Sequence, residues 1–163
     1  MAVIVSDTTP LNYLVLIEAV EVLPRLYGRV LIPPAVRKEL NQPNTPEQVR
    51  AWLARPPRWL ELVNPTLALD PALSHLDLGE VQAIALALEH RADLLLLDER
   101  DGTIAARERG LAVTGTLGVL DQAAARGWVD LPTMFARLER TTFRSPIRLI
   151  ATLLEQDARR KKK

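Results

Sequence analysis

The sequence predicts an α/β fold, a three-layer α/β/α sandwich around a central parallel sheet. Two apolar runs, Val3–Val5 and Leu94–Leu97, show no alternation of apolar and polar residues, which is typical of strands buried on both faces. Segments with helical periodicity separate the strand candidates along the chain. Because parallel strands must be joined by crossover connections, this order places helices on the faces of the sheet.

The first half of the chain contains strands that end in polar residues and helices that begin at proline or at a capping residue. Proline suits the first helical position because the missing N–H has no partner there anyway. In order, the predicted elements are a strand at Val3–Ser6, a helix capped by Thr9 and begun by Pro10, a strand at Val30–Ile32, a helix begun by Pro34, a helix behind a capping box at Thr45–Gln48, and a weak strand at Leu60–Val63.

The second half repeats the alternation of helix and strand. Its clearest helix follows Asp77, where Val81, Ile84, Ala85 and Leu88 recur at helical spacing. The elements after it are a strand at Leu94–Leu97, a helix from about Thr103 to Arg109 that ends at Gly110, a strand at Leu111–Thr114, a helix from the Gly115–Gly118 turn through Ala125, a helix near Pro132, and a helix capped by Ser145.

The composition is that of one ordinary globular domain. We expect a single domain over residues 1–155 and a basic C-terminal tail over residues 156–163. The absence of cysteine excludes disulfides, thiolate catalysis and cysteine zinc sites. No apolar stretch approaches the length of a membrane span, and no basic region precedes a signal-peptide core, so we expect a cytoplasmic protein that does not contact a membrane.

The charge is distributed unevenly, although the net charge is only +1. Residues 136–163 carry nine basic and three acidic side chains, against 12 and 17 in residues 1–135. Such a basic end is suited to binding phosphates. The last five residues, Arg159–Lys163, are also typical of a solvated, disordered tail.

Four acids are the candidates for chemistry. Asp7 follows the first strand and Asp98 follows the strand at Leu94–Leu97, so both are expected at the carboxyl edge of the sheet, where ligands bind. Clustered carboxylates repel one another, and a Mg²⁺ or Mn²⁺ ion would offset that repulsion. Three of the four acids also have a structural interpretation: Asp7 in a turn, Glu39 in a local ion pair, and Glu80 in a capping box with Asp77.

Three acids crowd the end of the most buried strand: Asp98, Glu99 and Asp101. Their mutual repulsion favours a metal there, while turn chemistry at Asp101–Gly102 explains the last of them equally well. The two histidines, His75 and His90, lack the sequence context of a catalytic triad. No phosphate-binding glycine motif follows the first strand.

The order of these motifs resembles the PIN-domain family. The resemblance covers roughly residues 2–125, and its motifs are Asp7-Thr8-Thr9-Pro10-Leu11, Pro34–Leu40, Leu78–Ala87, Leu96–Glu99 and Gly110–Leu120. The Gly-Thr-Leu-Gly turn at Gly115–Gly118 is similar to that of a prokaryotic branch related to VapC toxins.

The resemblance implies a Mg²⁺- or Mn²⁺-dependent endoribonuclease, in which metal-activated water hydrolyses RNA phosphodiesters. It further implies a toxin that forms homodimers and is inhibited by a small antitoxin protein. The implied catalytic residues are Asp7, Glu39, Glu80 and Asp98, with Asp7, Glu80 and Asp98 as metal ligands and Glu99, Asp101 and Thr116 as possible additions. The alternative is a PIN-like module that binds RNA or protein without cleavage.

Overall fold

The computed structural model describes residues 2–162 and contains one five-stranded sheet. Its strands are β1 (Ile4–Ser6), β2 (Val30–Ile32), β3 (Leu60–Leu62), β4 (Leu94–Leu96) and β5 (Val113–Thr114). Every neighbouring pair is parallel, and the strand order is β3-β2-β1-β4-β5. The predicted α/β class with a central parallel sheet is therefore confirmed.

Nine α-helices surround the sheet in the part of the chain that is described. They are α1 (Thr8–Leu16), α2 (Val22–Tyr27), α3 (Pro34–Glu39), α4 (Glu47–Ala54), α5 (Leu78–Glu89), α6 (Arg100–Glu108), α7 (Thr116–Ala125), α8 (Leu131–Glu139) and α9 (Ile147–Lys161). A short 3₁₀ helix lies at Pro71–Leu73. Within these residues, no helix combines the length and the apolar character needed to cross a membrane.

The uninterrupted apolar strands contribute side chains to two separate hydrophobic cores. Successive side chains of a strand point to opposite faces, so Ile4 and Leu96 pack into one core while Val5, Leu95 and Leu97 pack into the other. The first core also receives the apolar faces of α1, α7 and α8, and the second receives those of α5 and α6. Burial on both faces explains why these strands lack polar alternation.

Several predicted helix starts were wrong by a few residues. Helix α1 begins at Thr8, not at Pro10, with Asp7 at the N-cap position. Helix α6 begins at Arg100 because the Glu99 carboxylate accepts a hydrogen bond from the Gly102 amide and caps it. The predicted capping box at Thr45 does not form. The Thr45 hydroxyl donates instead to the Glu39 carbonyl oxygen, 2.9 Å away.

Two further differences concern the start of helix α9 and a helix that was not predicted. Helix α9 has Pro146 at its N-cap, and no side chain caps it, so the predicted cap at Ser145 is wrong. Helix α2 was not predicted, because it is only six residues long and contains Pro24.

The described part of the basic end contains helix α9, which continues to Lys161, so the interpretation of Arg159, Arg160 and Lys161 as part of a disordered tail is wrong. The last turns of this helix are anchored by ion pairs. Arg160 lies 2.9 Å from Asp121 and 3.2 Å from Asp157, while Lys161 lies 2.9 Å from Asp157 and 3.3 Å from Asp130. Asp157 is 2% exposed. These contacts fasten α9 to α7 and to the start of α8.

Candidate active site

The candidate site lies where the strand order reverses. Strand β1 has β2 on one side and β4 on the other, and in parallel sheets this arrangement opens a crevice at the carboxyl ends of the strands. Asp7 immediately follows β1, and its backbone amide donates to the Leu96 carbonyl oxygen at the end of β4, 2.9 Å away. Asp98 comes two residues after β4. The parallel pairing thus brings Asp7 and Asp98 to the same edge, as the sequence predicted.

Asp7 is the most deeply buried acid of the site. It is 4% exposed, and its Oδ1 atom is buried without a hydrogen-bond partner. Burial raises the pKa of Asp7 to about 7, the Thr8 amide opposes the rise, and the charges of Asp77, Glu39 and Asp98 add to it. A buried carboxylate oxygen without a donor is costly and needs a partner that the chain itself does not supply.

Glu39 lies at the end of α3 and faces the N-terminal turns of α1 and α5. The Thr8 hydroxyl donates to its Oε2 atom at 2.5 Å. Burial raises the pKa of Glu39, the Thr8 hydrogen bond opposes this, and the charge of Asp77 adds to it. A Cβ atom at Gly79 would lie 2.5 Å from Glu39 Oε1, so the missing side chain lets this carboxylate lie against the start of α5.

Glu80 lies in the first turn of α5 and is 6% exposed. Asp77 caps this helix, because its carboxylate accepts from the Glu80 amide at 2.8 Å. Burial raises the pKa of Glu80 well above its usual range, and the charges of Asp77, Asp7 and Glu99 raise it further. The capping interpretation of Asp77 and the membership of Glu80 in the acidic cluster are therefore compatible.

Asp98 is held by the N-terminus of α7. The Thr116 amide donates to Asp98 Oδ1 at 2.9 Å, and the Thr116 hydroxyl donates to Oδ2 at 2.7 Å. Burial raises the pKa of Asp98, and both Thr116 hydrogen bonds oppose the rise. A Cβ atom at Gly115 would stand 2.5 Å from Asp98 Oδ1. The Gly-Thr pair thus allows a fully buried Thr116 to orient this carboxylate.

The possible additional residues have other roles or positions. The Thr116 hydroxyl donates its hydrogen to Asp98, so it does not offer that hydrogen to a water or a phosphate. Glu99 caps α6, yet its charge still acts on Glu80. Asp101 is exposed and faces a separate hollow beside His75 and Arg109. Of the three acids after β4, Asp98 is the one oriented at this edge by α7.

Sequence reasoning missed two members of the site. Asp77 was assigned only a capping role, although its charge acts on Asp7, Glu39 and Glu80. Thr8 was not named as a candidate, although its hydroxyl donates to Glu39 across 31 positions of sequence. The Asp-Leu-Gly-Glu sequence at Asp77–Glu80 was a signal for Asp77, because Gly79 lets the Glu39 carboxylate lie close to the start of α5. No local signal indicated Thr8.

The acids of the cluster supply the oxygen ligands that a hard divalent ion prefers. Their side chains, however, are not arranged as a complete metal site in the described part of the chain. All the acids present oxygen atoms, and Asp7 Oδ1 lacks a partner. Within residues 2–162, however, no three carboxylate or imidazole side chains are arranged to hold one ion. The carboxylates would have to draw together for an ion to be bound.

A cleft of about 630 Å³ opens beside Asp98. Its walls come from α1, α6, the start of α7 and the segment of residues 142–153. It is lined by polar, aromatic and basic side chains, among them Tyr13, Thr142, Phe143, Arg107 and Arg144. The acidic edge of the sheet is therefore continuous with a cleft large enough for a small organic ligand.

Comparison with known proteins identifies the family and a similar fold. Residues 3–159 match the family described as DUF3368, a PIN domain. No curated protein matches the sequence. Among solved structures, the chain is similar to a PilT N-terminus domain protein, SSO1118, from the hyperthermophilic archaeon Sulfolobus solfataricus P2. The TM-score is 0.54 at 17% identity, over 76% of this chain and 93% of that one.

Proposed function

The chain belongs to the PIN-domain family, whose members are generally nucleases, and from this premise we propose that it is a divalent-metal-dependent endoribonuclease. The observation that carries the proposal is the buried, unpartnered Oδ1 atom of Asp7 among acids that repel it. Such an arrangement is costly in a protein without a ligand, and perturbed carboxylates in a crevice are typical of functional sites. A cation relieves both costs.

In this proposal Asp7, Glu80 and Asp98 would hold a Mg²⁺ or Mn²⁺ ion, and Glu39 would orient the attacking water or a second ion. The bound ion would lower the pKa of a water molecule and neutralise charge on the scissile phosphodiester. Thr116 keeps the Asp98 carboxylate oriented, and Thr8 does the same for Glu39. Asp77 holds the start of α5 and adds to the negative potential that attracts the cation.

The biological role that we propose is the toxin of a toxin–antitoxin pair. The supporting observation is the Gly115–Gly118 turn, whose first glycine and threonine orient Asp98 and which resembles that of the VapC-related branch. The expected partners are RNA, a small antitoxin protein and a second copy of this chain. Expression should arrest growth, a short neighbouring gene should relieve the arrest, and light scattering should give the mass of a dimer.

The alternative function is a PIN module that binds RNA or protein without cleavage. It is favoured by one observation: in the described part of the chain, no three metal-ligating side chains stand ready to hold an ion. The two functions differ in whether purified protein cleaves RNA when Mn²⁺ is added.

The decisive experiment measures cleavage of single-stranded RNA with Mn²⁺, with EDTA, and with two variants. Asp7→Asn should abolish cleavage, because it removes the central carboxylate. Asp101→Asn makes the same chemical change on an exposed acid outside the cluster and should retain wild-type cleavage. Cleavage that survives Asp7→Asn, or that EDTA does not stop, would contradict the proposed mechanism.

A further inference from the structure

The cleft beside Asp98 contains basic and aromatic side chains, which are suited to binding a nucleotide and which the acidic cluster lacks. Its volume of about 630 Å³ lies within the range of small-molecule pockets. Asp98 lies in its wall together with Thr9 and Gly115. Anything bound in the cleft therefore lies next to the candidate active site.

Two arginines on different elements line this cleft. Arg107 belongs to α6, and Arg144 lies in the loop before α9. Both are exposed, and among residues 2–162 neither forms an ion pair with a carboxylate. This contrasts with Arg160, which is paired with Asp121 and Asp157. Guanidinium groups of this kind are suited to binding phosphate through two hydrogen bonds.

An aromatic pair lies in the same cleft. The rings of Tyr13 and Phe143 meet edge to face, with centroids 5.1 Å apart and an interplanar angle of 73°. The Tyr13 and Thr142 hydroxyls are hydrogen-bonded at 2.8 Å, which fixes the tyrosine ring. Fixed aromatic rings beside basic groups are what proteins use to stack the bases of single-stranded nucleic acid.

We propose that this cleft binds the nucleotide next to the scissile phosphate of a single-stranded RNA, with Arg107 and Arg144 on its phosphates and the Tyr13–Phe143 pair against its base. The proposal rests on the proposed ribonuclease function. A pocket of this volume is large enough for a nucleotide unit, whereas the base of a duplex is stacked and paired and cannot enter it. The cleft therefore selects single strands.

The proposal is tested by binding of a fluorescently labelled single-stranded RNA of ten nucleotides and mixed sequence, followed by anisotropy without divalent ions so that no cleavage occurs. Arg107→Ala and Arg144→Ala should each raise Kd roughly tenfold. Each should also reduce the slope of log Kd against log salt concentration by about 0.7, the value for one phosphate contact on a single strand. A duplex of the same sequence should compete poorly.

Arg58→Ala is the matched control. Arg58 is exposed, forms no ion pair among the described residues, and precedes β3, which places it at the amino edge of the sheet, opposite the cleft. The same loss of charge there should leave the salt slope unchanged. Equal effects of Arg58→Ala and the two cleft variants would overturn the proposal, since the contribution of the arginines would then be only their net charge.

The outcomes also separate this inference from the proposed function. If the wild type cleaves RNA while both cleft variants bind RNA as tightly as it does, the cleft assignment is wrong and the nuclease assignment stands. If the cleft variants bind weakly but the wild type never cleaves RNA with Mn²⁺, the cleft assignment is supported in a module that binds without cutting.

Discussion

Asp7→Asn should make the metal-free protein more stable, and the gain should grow with pH. The native pKa of Asp7 is about 7 against 3.8 for an unperturbed aspartate, so between these values the native state binds more protons than the unfolded state. Stability contributed by a group of this kind falls as pH rises through the window. Asparagine does not titrate, so the variant escapes this loss.

The magnitude follows from the displacement of the pKa. At about 1.4 kcal/mol for each pKa unit, ionising Asp7 in the folded protein costs about 4 kcal/mol in total. Between about pH 4.5 and pH 8 the wild type should lose about 3 kcal/mol that the variant keeps. For a chain of this length, that equals a difference in Tm of about 6 to 12 °C. Glu39, Glu80 and Asp98 titrate in both proteins. Because the charge of Asp7 also raises the pKa of Glu80, its removal relieves part of that shift as well, which adds to the gain in stability at high pH.

The assay is thermal or urea unfolding of both proteins in EDTA at the two pH values, with Asp101→Asn as the control. The control should change the free energy of unfolding by less than about 0.5 kcal/mol, because Asp101 is exposed to solvent in the first turn of α6 and interacts mainly with the helix dipole. Excess Mn²⁺ at 100 times its Kd should stabilise the wild type by about 2.7 kcal/mol and the Asp7 variant by much less. A difference between variant and wild type that does not change with pH would refute the reasoning.

Substitutions at three further positions test how Asp98 is oriented and how α9 is anchored. Thr116→Val should reduce RNA cleavage roughly tenfold to a hundredfold, because it removes the hydroxyl that orients Asp98, and Thr116→Ser should restore most of it. Gly115→Ala should abolish cleavage and cost about 1 to 2 kcal/mol in urea unfolding, since its Cβ atom would displace the Asp98 carboxylate. Arg160→Ala should lower the free energy of unfolding by about 1 to 2 kcal/mol, because the buried Asp157 loses one of two cationic partners.

The results that would contradict these expectations are specific to each change. Equal cleavage by the Thr116 valine and serine variants would mean that the hydroxyl does not orient Asp98. Full activity of the Gly115 variant would mean that Asp98 tolerates displacement. For Arg160, an altered salt dependence of RNA binding without a change in stability would assign the basic end to RNA instead of to the anchoring of α9.

Much of the fold is predictable because the patterns that indicate its strands and helices lie within short segments of sequence. The apolar runs at Val3–Val5 and Leu94–Leu97 identify strands buried on both faces, and the helical spacing after Asp77 identifies α5. Gly110 ends α6 as predicted and adopts a φ of 83°, which glycine tolerates without strain. These signals work because periodicity and turn chemistry act over about ten residues or fewer. Short elements such as α2 leave too few positions for a pattern.

The sequence by itself determined the parallel α/β architecture and the edge at which Asp7 and Asp98 lie. Only the tertiary structure decided which acids share an environment, because the contacts that orient them join distant segments. Thr8 binds Glu39 across 31 positions and Thr116 binds Asp98 across 18. The tertiary structure also assigned Arg160 and Lys161 to the anchoring of α9, since charge patterns along a chain do not say which acids lie across from them in space.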